Sequence, residues 1–192
     1  MNEKTIAEIA WLDVSGETHP PSPGETTADS CSLCGWPAAR TFSLLRAGQP
    51  PQAICTLCWM SQNLDTPSAA QGVLSWLPGM KPADVINLQR LALIAALAGT
   101  KDQQKHGRRV LRWLRRHKTE AERYWATSRP AEFAAALTRL HPEERCSLRR
   151  QLRGTHLIMP ASTFTDLTLL LPAGTDAASL LHTYAFPNPQ EG

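Results

Sequence analysis

A mainly helical α+β fold is what this sequence predicts, with a small cysteine-rich module placed ahead of a larger helical lobe. Three observations carry that expectation. Two C-x-x-C pairs, Cys31-Ser32-Leu33-Cys34 and Cys55-Thr56-Leu57-Cys58, have twenty residues between them. The spacer contains Arg40-Thr41-Phe42-Ser43-Leu44-Leu45, a short run of strand-forming residues. Beyond Leu64 the apolar residues recur at helical spacing.

The cysteines come first because they constrain the chemistry most. Each pair places two sulfurs on one side of an ion, and the spacer lets the second pair face the first. Cys31, Cys34, Cys55 and Cys58 can thus close a tetrahedral shell around one Zn2+. All four positions are filled by protein, so no place is left for a water, and the metal is expected to be structural rather than catalytic. Gly35 directly follows the first pair and suits the tight turn of a zinc knuckle. Two other readings use the same residues. Disulfides require an oxidising compartment, and iron in a rubredoxin-like site takes the same four ligands. The segment has few large apolar residues of its own. Metal binding, worth ~10–16 kcal/mol in isolated zinc peptides, would reinforce it.

The remaining elements follow in chain order. Residues 1–29 form an N-terminal segment and connector. Ile6, Ile9, Ala10, Trp11 and Leu12 suggest a short amphipathic element, and Pro20, Pro21, Pro23 and Gly24 an extended link. Residues 30–65 are the zinc-knuckle module, with Gly48-Gln49-Pro50-Pro51 turning the chain back toward the second pair. Residues 66–192 are the helical lobe, expected to pack with the knuckle as one unit. Its first helix opens at Pro82, a good first-turn residue, and ends near Ala98 with Gly99 as cap. Val85, Ile86, Leu88, Leu91, Leu93, Ile94 and Leu97 nearly encircle it, so it should be central and buried. A second helix is expected over about residues 107–126, with Val110, Leu114, His117, Ala121 and Tyr124 facing inward. A third begins near Pro130 with Phe133, Ala134, Leu137 and Leu140, and a short one is expected over residues 142–152. The stretch from Leu167 to Leu171 reads equally as strand or helix.

Composition bounds the function classes. A net charge of +3 is too small to name a partner. No apolar run reaches the ~20 residues needed to cross a bilayer. The start, Met1-Asn2-Glu3-Lys4, shows no basic region leading into an apolar stretch, so with paired reduced cysteines a cytoplasmic location is expected. The charge is nevertheless unevenly placed. Lys105, Arg108, Arg109, Arg112, Arg115, Arg116 and Lys118 fall in fourteen residues without an acid. Arg108, Arg112, Arg115 and Arg116 share one helical face. That face reads as a solvated surface partly neutralised by Glu120, Glu122, Glu143 and Glu144, as a docking face for an acidic partner, or as a binder of phosphates. Arg145, Arg149, Arg150 and Arg153 repeat the ambiguity.

The histidines argue against an enzyme. Small metal-dependent nucleases of the His-Asn-His type are also braced by two cysteine pairs, but they need a histidine base and metal-binding residues beside the knuckles. Nothing between Cys31 and Cys58 is histidine, and residues 35–54 contain no Asp or Glu. His19, His106, His117, His141, His156 and His182 all lie elsewhere, and Cys146 stands alone. His117 is expected as a satisfied core or boundary histidine, and Cys146 as a small buried hydrophobe. No phosphate loop or serine elbow appears. No catalytic residues are assigned.

A longer pattern then emerges. The cysteine pairs are followed by Gly72-Val73-Leu74-Ser75-Trp76-Leu77-Pro78, then Asn87-Leu88-Gln89-Arg90 in an apolar helix. Arg129-Pro130, the basic run from Arg149 to Arg153, and Leu157-Ile158-Met159-Pro160 ahead of Phe164 come after. In this order, over about residues 30–165, the chain resembles the DotN/IcmJ family of type IVB secretion systems and its conjugative-transfer counterparts. The resemblance implies a fold related to His-Asn-His nucleases, with structural zinc on Cys31, Cys34, Cys55 and Cys58 and no catalytic need. It also implies a non-enzymatic adaptor of a coupling complex, binding the C-terminal segment of the coupling ATPase at the cytoplasmic side of the inner membrane beside other complex subunits. The chain departs from the family pattern in two places: its spacer lacks histidine, and Gly79 stands where an acid tends to follow Leu-Pro. No partner-binding residues are therefore carried over. The alternative expectation is a zinc-containing nucleic-acid-binding protein.

Overall fold

The cysteine segment folds as a knuckle, a hairpin and a helix in that order. The computed structural model describes residues 11–15, 23–46, 50–148 and 151–183. Ile6, Ile9, Ala10, His19, Pro20, Pro21, Gly48, Gln49, Arg149, Arg150, Pro187 and Pro189 lie outside the described residues, as does the side chain of Cys146. Strands β1 (Glu25–Thr26), β2 (Thr41–Leu44) and β3 (Gln52–Cys55) form an antiparallel sheet in the order β1-β2-β3. Thr41 pairs with Cys55 and Phe42 with Ile54. The spacer thus forms the strand its composition predicts, and the connector contributes a short extended partner. Helix α1 (Thr56–Gln62) follows β3 without a break, and all seven of its residues are buried. The sequence pattern does not display this helix. Seven residues buried on every side show no amphipathic period to read.

Helix α2 (Pro82–Ala98) has the predicted bounds, with Pro82 in its first turn and Gly99 accepting the cap role. Nine of its residues are buried, in keeping with a central helix. The next expected helix is corrected. It begins earlier, at Lys101, and divides at His117 into α3 (Lys101–Arg116) and α4 (Lys118–Trp125). The early start has a local cause. Thr100 Oγ1 accepts from the Gln103 amide while the Gln103 side chain accepts from the Thr100 amide, a complete capping box. The break re-phases the chain. Leu114 and Ala121 are buried as expected, but Val110 and His117 are half-buried and Tyr124 is 60 % exposed, stacked on Trp76 at 4.5 Å. Ala126, in the left-handed region at φ 61°, ends α4.

Helix α5 (Pro130–Thr138) buries Phe133, Ala134 and Leu137 as predicted, and α6 (Pro142–Leu148) is shorter than expected. Strand β4 (Val73–Trp76) pairs antiparallel with β5 (Thr155–Ile158), Ser75 opposite His156. The Leu167 stretch resolves into a short 3-10 turn (Leu167–Leu169), and α7 (Ala177–Thr183) closes the described chain.

The two parts share one core. A single cluster of buried side chains runs from Cys31, Trp36 and Ile54 through Leu93 and Ile94 to Met159 and Leu181. Polar ties reinforce the seam. Thr56 Oγ1 donates to the Leu169 carbonyl at 2.8 Å, the Ala39 amide to the Leu171 carbonyl at 2.9 Å, and Arg40 pairs with Asp166 at 2.9 Å. Among the described residues no helix is long and apolar enough to cross a membrane.

Candidate metal centre

The four paired cysteines are brought together by two turns of different kinds. In the first, the Gly35 amide donates to the Cys31 carbonyl at 2.9 Å and the Cys31 amide to the Trp36 carbonyl at 2.8 Å. Gly35 adopts φ 71°, the left-handed conformation that glycine takes without a Cβ penalty. The Ser32 amide donates to the Ala53 carbonyl at 2.9 Å and fastens the knuckle to β3. In the second turn, Cys55 ends β3 and caps α1, and Cys58 lies in the first helical turn. The register Thr41 to Cys55 brings the end of the hairpin back to the knuckle.

The Sγ atoms of Cys31, Cys34, Cys55 and Cys58 all lie within 4.8 Å of one another, and all four residues are buried. Cys34 Sγ and Cys55 Sγ are 3.7 Å apart. This is far beyond a sulfur–sulfur bond of about 2.05 Å. It matches the edge, about 3.8 Å, of a tetrahedron with metal–sulfur bonds of about 2.3 Å. The donor set and its spacing therefore fit a metal ion such as zinc. It is the one group of three or more potential ligands of this kind among the described residues.

The surroundings of the cluster come from α2, which sequence reasoning left unassigned to the site. Arg90 is 1 % exposed. Its Nη2 lies 2.7 Å from Cys55 Sγ and 3.8 Å from Cys34 Sγ, and its Nη1 donates to Asn87 Oδ1 at 2.6 Å. Asn87 Nδ2 donates to the Cys34 carbonyl at 3.4 Å. The guanidinium lies over the Trp36 ring, 4.5 Å from its centroid. Gln89, on the other side of the helix, donates to the Leu157 carbonyl at 3.0 Å and accepts from the Met159 amide at 3.1 Å. The Asn87-Leu88-Gln89-Arg90 run is thus the joint between the cysteines, α2 and β5. The available signal was a polar triplet inside an otherwise apolar helix, since such groups are buried only with partners.

No protein-family model matches this chain, and no curated protein matches it. Its chemistry is therefore read from the site itself.

Electrostatics couple Arg90 to the sulfurs. Burial opposes its charge, but Cys55 and Cys34 outweigh that and hold its pKa above the usual value. In return, hydrogen bonding from Cys31, then from Cys55 and Cys58, with the charge of Arg90, pulls Cys34 far below the thiol range. Burial pushes Cys55 up. A bound cation would remove this inequality, because metal ligation deprotonates every thiol in the shell.

His117 sits between α3 and α4, with its Nδ1 3.9 Å from Glu120 Oε2 and its ring edge-on to Trp113 at 5.2 Å. It is half-buried at the junction of the two helices. His156 is buried on β5 opposite Ser75, and burial pushes its pKa down to about 4 while a backbone hydrogen bond with Leu77 works the other way.

Proposed function

We propose that the chain is a non-enzymatic adaptor built on a structural Zn2+ site, serving a type IVB secretion or conjugative-transfer coupling complex. Cys31, Cys34, Cys55 and Cys58 are the ligands, and four protein sulfurs leave no open position for a substrate or water. The observation that carries the reading is the coincidence of two things at one place. Trp76-Leu77-Pro78 followed by an N-x-x-R helix is the more distinctive part of the resemblance to the DotN/IcmJ family, and Asn87 and Arg90 of that pattern touch the cysteine cluster. A motif that braces the metal module gives the resemblance a physical basis. That module contains no histidine from which to build a hydrolytic site.

In this role the protein binds the C-terminal segment of a coupling ATPase in the cytoplasm, at the inner membrane. The segment arrives unstructured and folds onto the surface. The test is twofold. A peptide of the ATPase C-terminus should bind the full, zinc-loaded chain with a negative heat-capacity change and modest salt dependence. The tagged chain should co-purify with coupling-complex subunits. Absence of both overturns the adaptor reading. Elemental analysis should find one zinc per chain, and a metal-free or iron-bearing protein overturns the zinc assignment.

A further inference from the structure

We infer that the exposed face of α3 is a binding surface for the sugar-phosphate backbone of duplex nucleic acid, a surface independent of the coupling-complex reading. At about 100° per residue, Lys105, Arg108, Arg109, Arg112, Arg115 and Arg116 fall within an arc of about 120°. They extend along about 17 Å of helix. Five of the six are exposed and Arg115 is half-buried. The opposite face, with Gly107, Leu111 and Leu114, is buried.

A solvated face neutralised by nearby acids is the plainer reading of the sequence, and three of the four acids named there have other partners. Glu120 Oε2 lies 3.9 Å from His117 Nδ1, Glu122 accepts from Ser128 Oγ at 2.6 Å, and Glu144 accepts from the His141 amide at 2.9 Å. Among the described residues, no carboxylate forms an ion pair with any of the six cations. The one hydrogen bond shown for them is within the helix, from Arg108 to Gln104 Oε1 at 3.1 Å.

Shape and charge together favour phosphates over an acidic peptide. A peptide ligand gains most of its affinity from apolar anchors in pockets. The exposed large apolar side chain on this helix is Trp113, 43 % exposed at the margin of the arc and engaged edge-on with His117. The rest of the arc is cationic, which suits a continuous line of charge. Its width also suits a duplex. A helix with its side chains is about 10–12 Å across, close to the roughly 12 Å of a major groove, and cations at both margins of the arc can reach phosphates on either strand.

The experiment uses the full zinc-loaded chain and fluorescently labelled 20-base-pair duplex, with fluorescence anisotropy as readout. Binding is expected at 50 mM salt, falling roughly 10³-fold by 200 mM if six phosphates are neutralised. Replacing Arg109, Arg112 and Arg116 with Gln should reduce the slope of log K against log salt by about 3. These residues are exposed, so circular dichroism and zinc content should be unchanged. Neutralising Arg129 and Arg139, which lie off α3, should leave the slope as it was. No duplex binding at 50 mM salt overturns the inference, as does an unaltered slope in the triple variant. Tighter binding of a single strand of equal length overturns the duplex assignment, and displacement by poly-glutamate at lower charge concentration than duplex assigns the face to an acidic protein instead.

Discussion

Four thiolates around a divalent ion carry a net charge of about −2, and a charge of that size is costly to bury without compensation. Arg90 supplies the compensation, and its planar fork reaches Cys55, Cys34 and Asn87 at once. Lysine offers a point charge without that fork. Arg90→Met should therefore speed metal loss to a chromogenic chelator by roughly 10- to 100-fold, the range typical for residues that support metal ligands. Arg90→Lys should fall between the two. Equal release rates in all three proteins would remove Arg90 from the account. The four-cysteine cluster was legible because each pair is local in sequence. The role of Arg90 was not, because it meets Cys34 across 56 positions. His156 gives a second residue-scale expectation. Its folded pKa, about 4, lies below the ordinary 6.5, so the unfolded chain takes up the proton first. The stability due to its neutral form is complete above pH 6.5 and is lost as pH falls toward 4, by about 3 kcal/mol at the limit. His156→Gln should flatten the stability profile between pH 7 and 5 relative to the parent, measured by urea unfolding. The difference between the two proteins carries the expectation, since thiolate metal sites also weaken in acid.

At the scale of elements, the packing of α2 against α3 fixes where the basic face points. Gly107 is the close-contact residue. A Cβ added there would meet the Ala92 carbonyl oxygen at 2.5 Å and the Ala96 amide at 2.8 Å, both backbone atoms that cannot rotate aside. Gly107→Ala would gain roughly 0.8–1 kcal/mol of helix propensity if the site were open. Here the forced separation, typically about 1–3 kcal/mol for overpacking, should win. The expected result is a net loss of about 1–2 kcal/mol by denaturant unfolding, and a stabilised variant would contradict the close approach. The sequence displayed α2 clearly through Pro82, Gly99 and an apolar run long enough to read. It displayed the division at His117 poorly, because the apolar residues on either side keep nearly helical spacing across the break. Strand β4 was hidden for another reason. Its four residues are recognisable only from their pairing with β5, some eighty positions later.

For the whole molecule, the question is whether the cysteine module can come apart alone. Its cysteines belong to the same buried cluster as α2, β5 and α7, and Arg90 of α2 has sulfur partners there. Removing the ion would leave four buried sulfurs without a common centre and break a buried ionic arrangement in which Arg90 faces Cys34 and Cys55. Breaking one side of a buried ionic arrangement costs about 3–5 kcal/mol, a large share of the 5–15 kcal/mol available to a domain. Chelation should therefore destabilise the entire chain. Thermal unfolding followed by ellipticity at 222 nm reports chiefly on the helices of residues 82–148, and tryptophan fluorescence includes Trp36 and Trp59 of the module. The two signals should move to lower temperature together after treatment with a strong chelator, and Cys55→Ser should reproduce the shift. A fluorescence change that leaves the 222 nm transition in place would mean that the module is an independent folding unit. The contact between Arg90 and the cysteines would then orient two domains rather than hold one together.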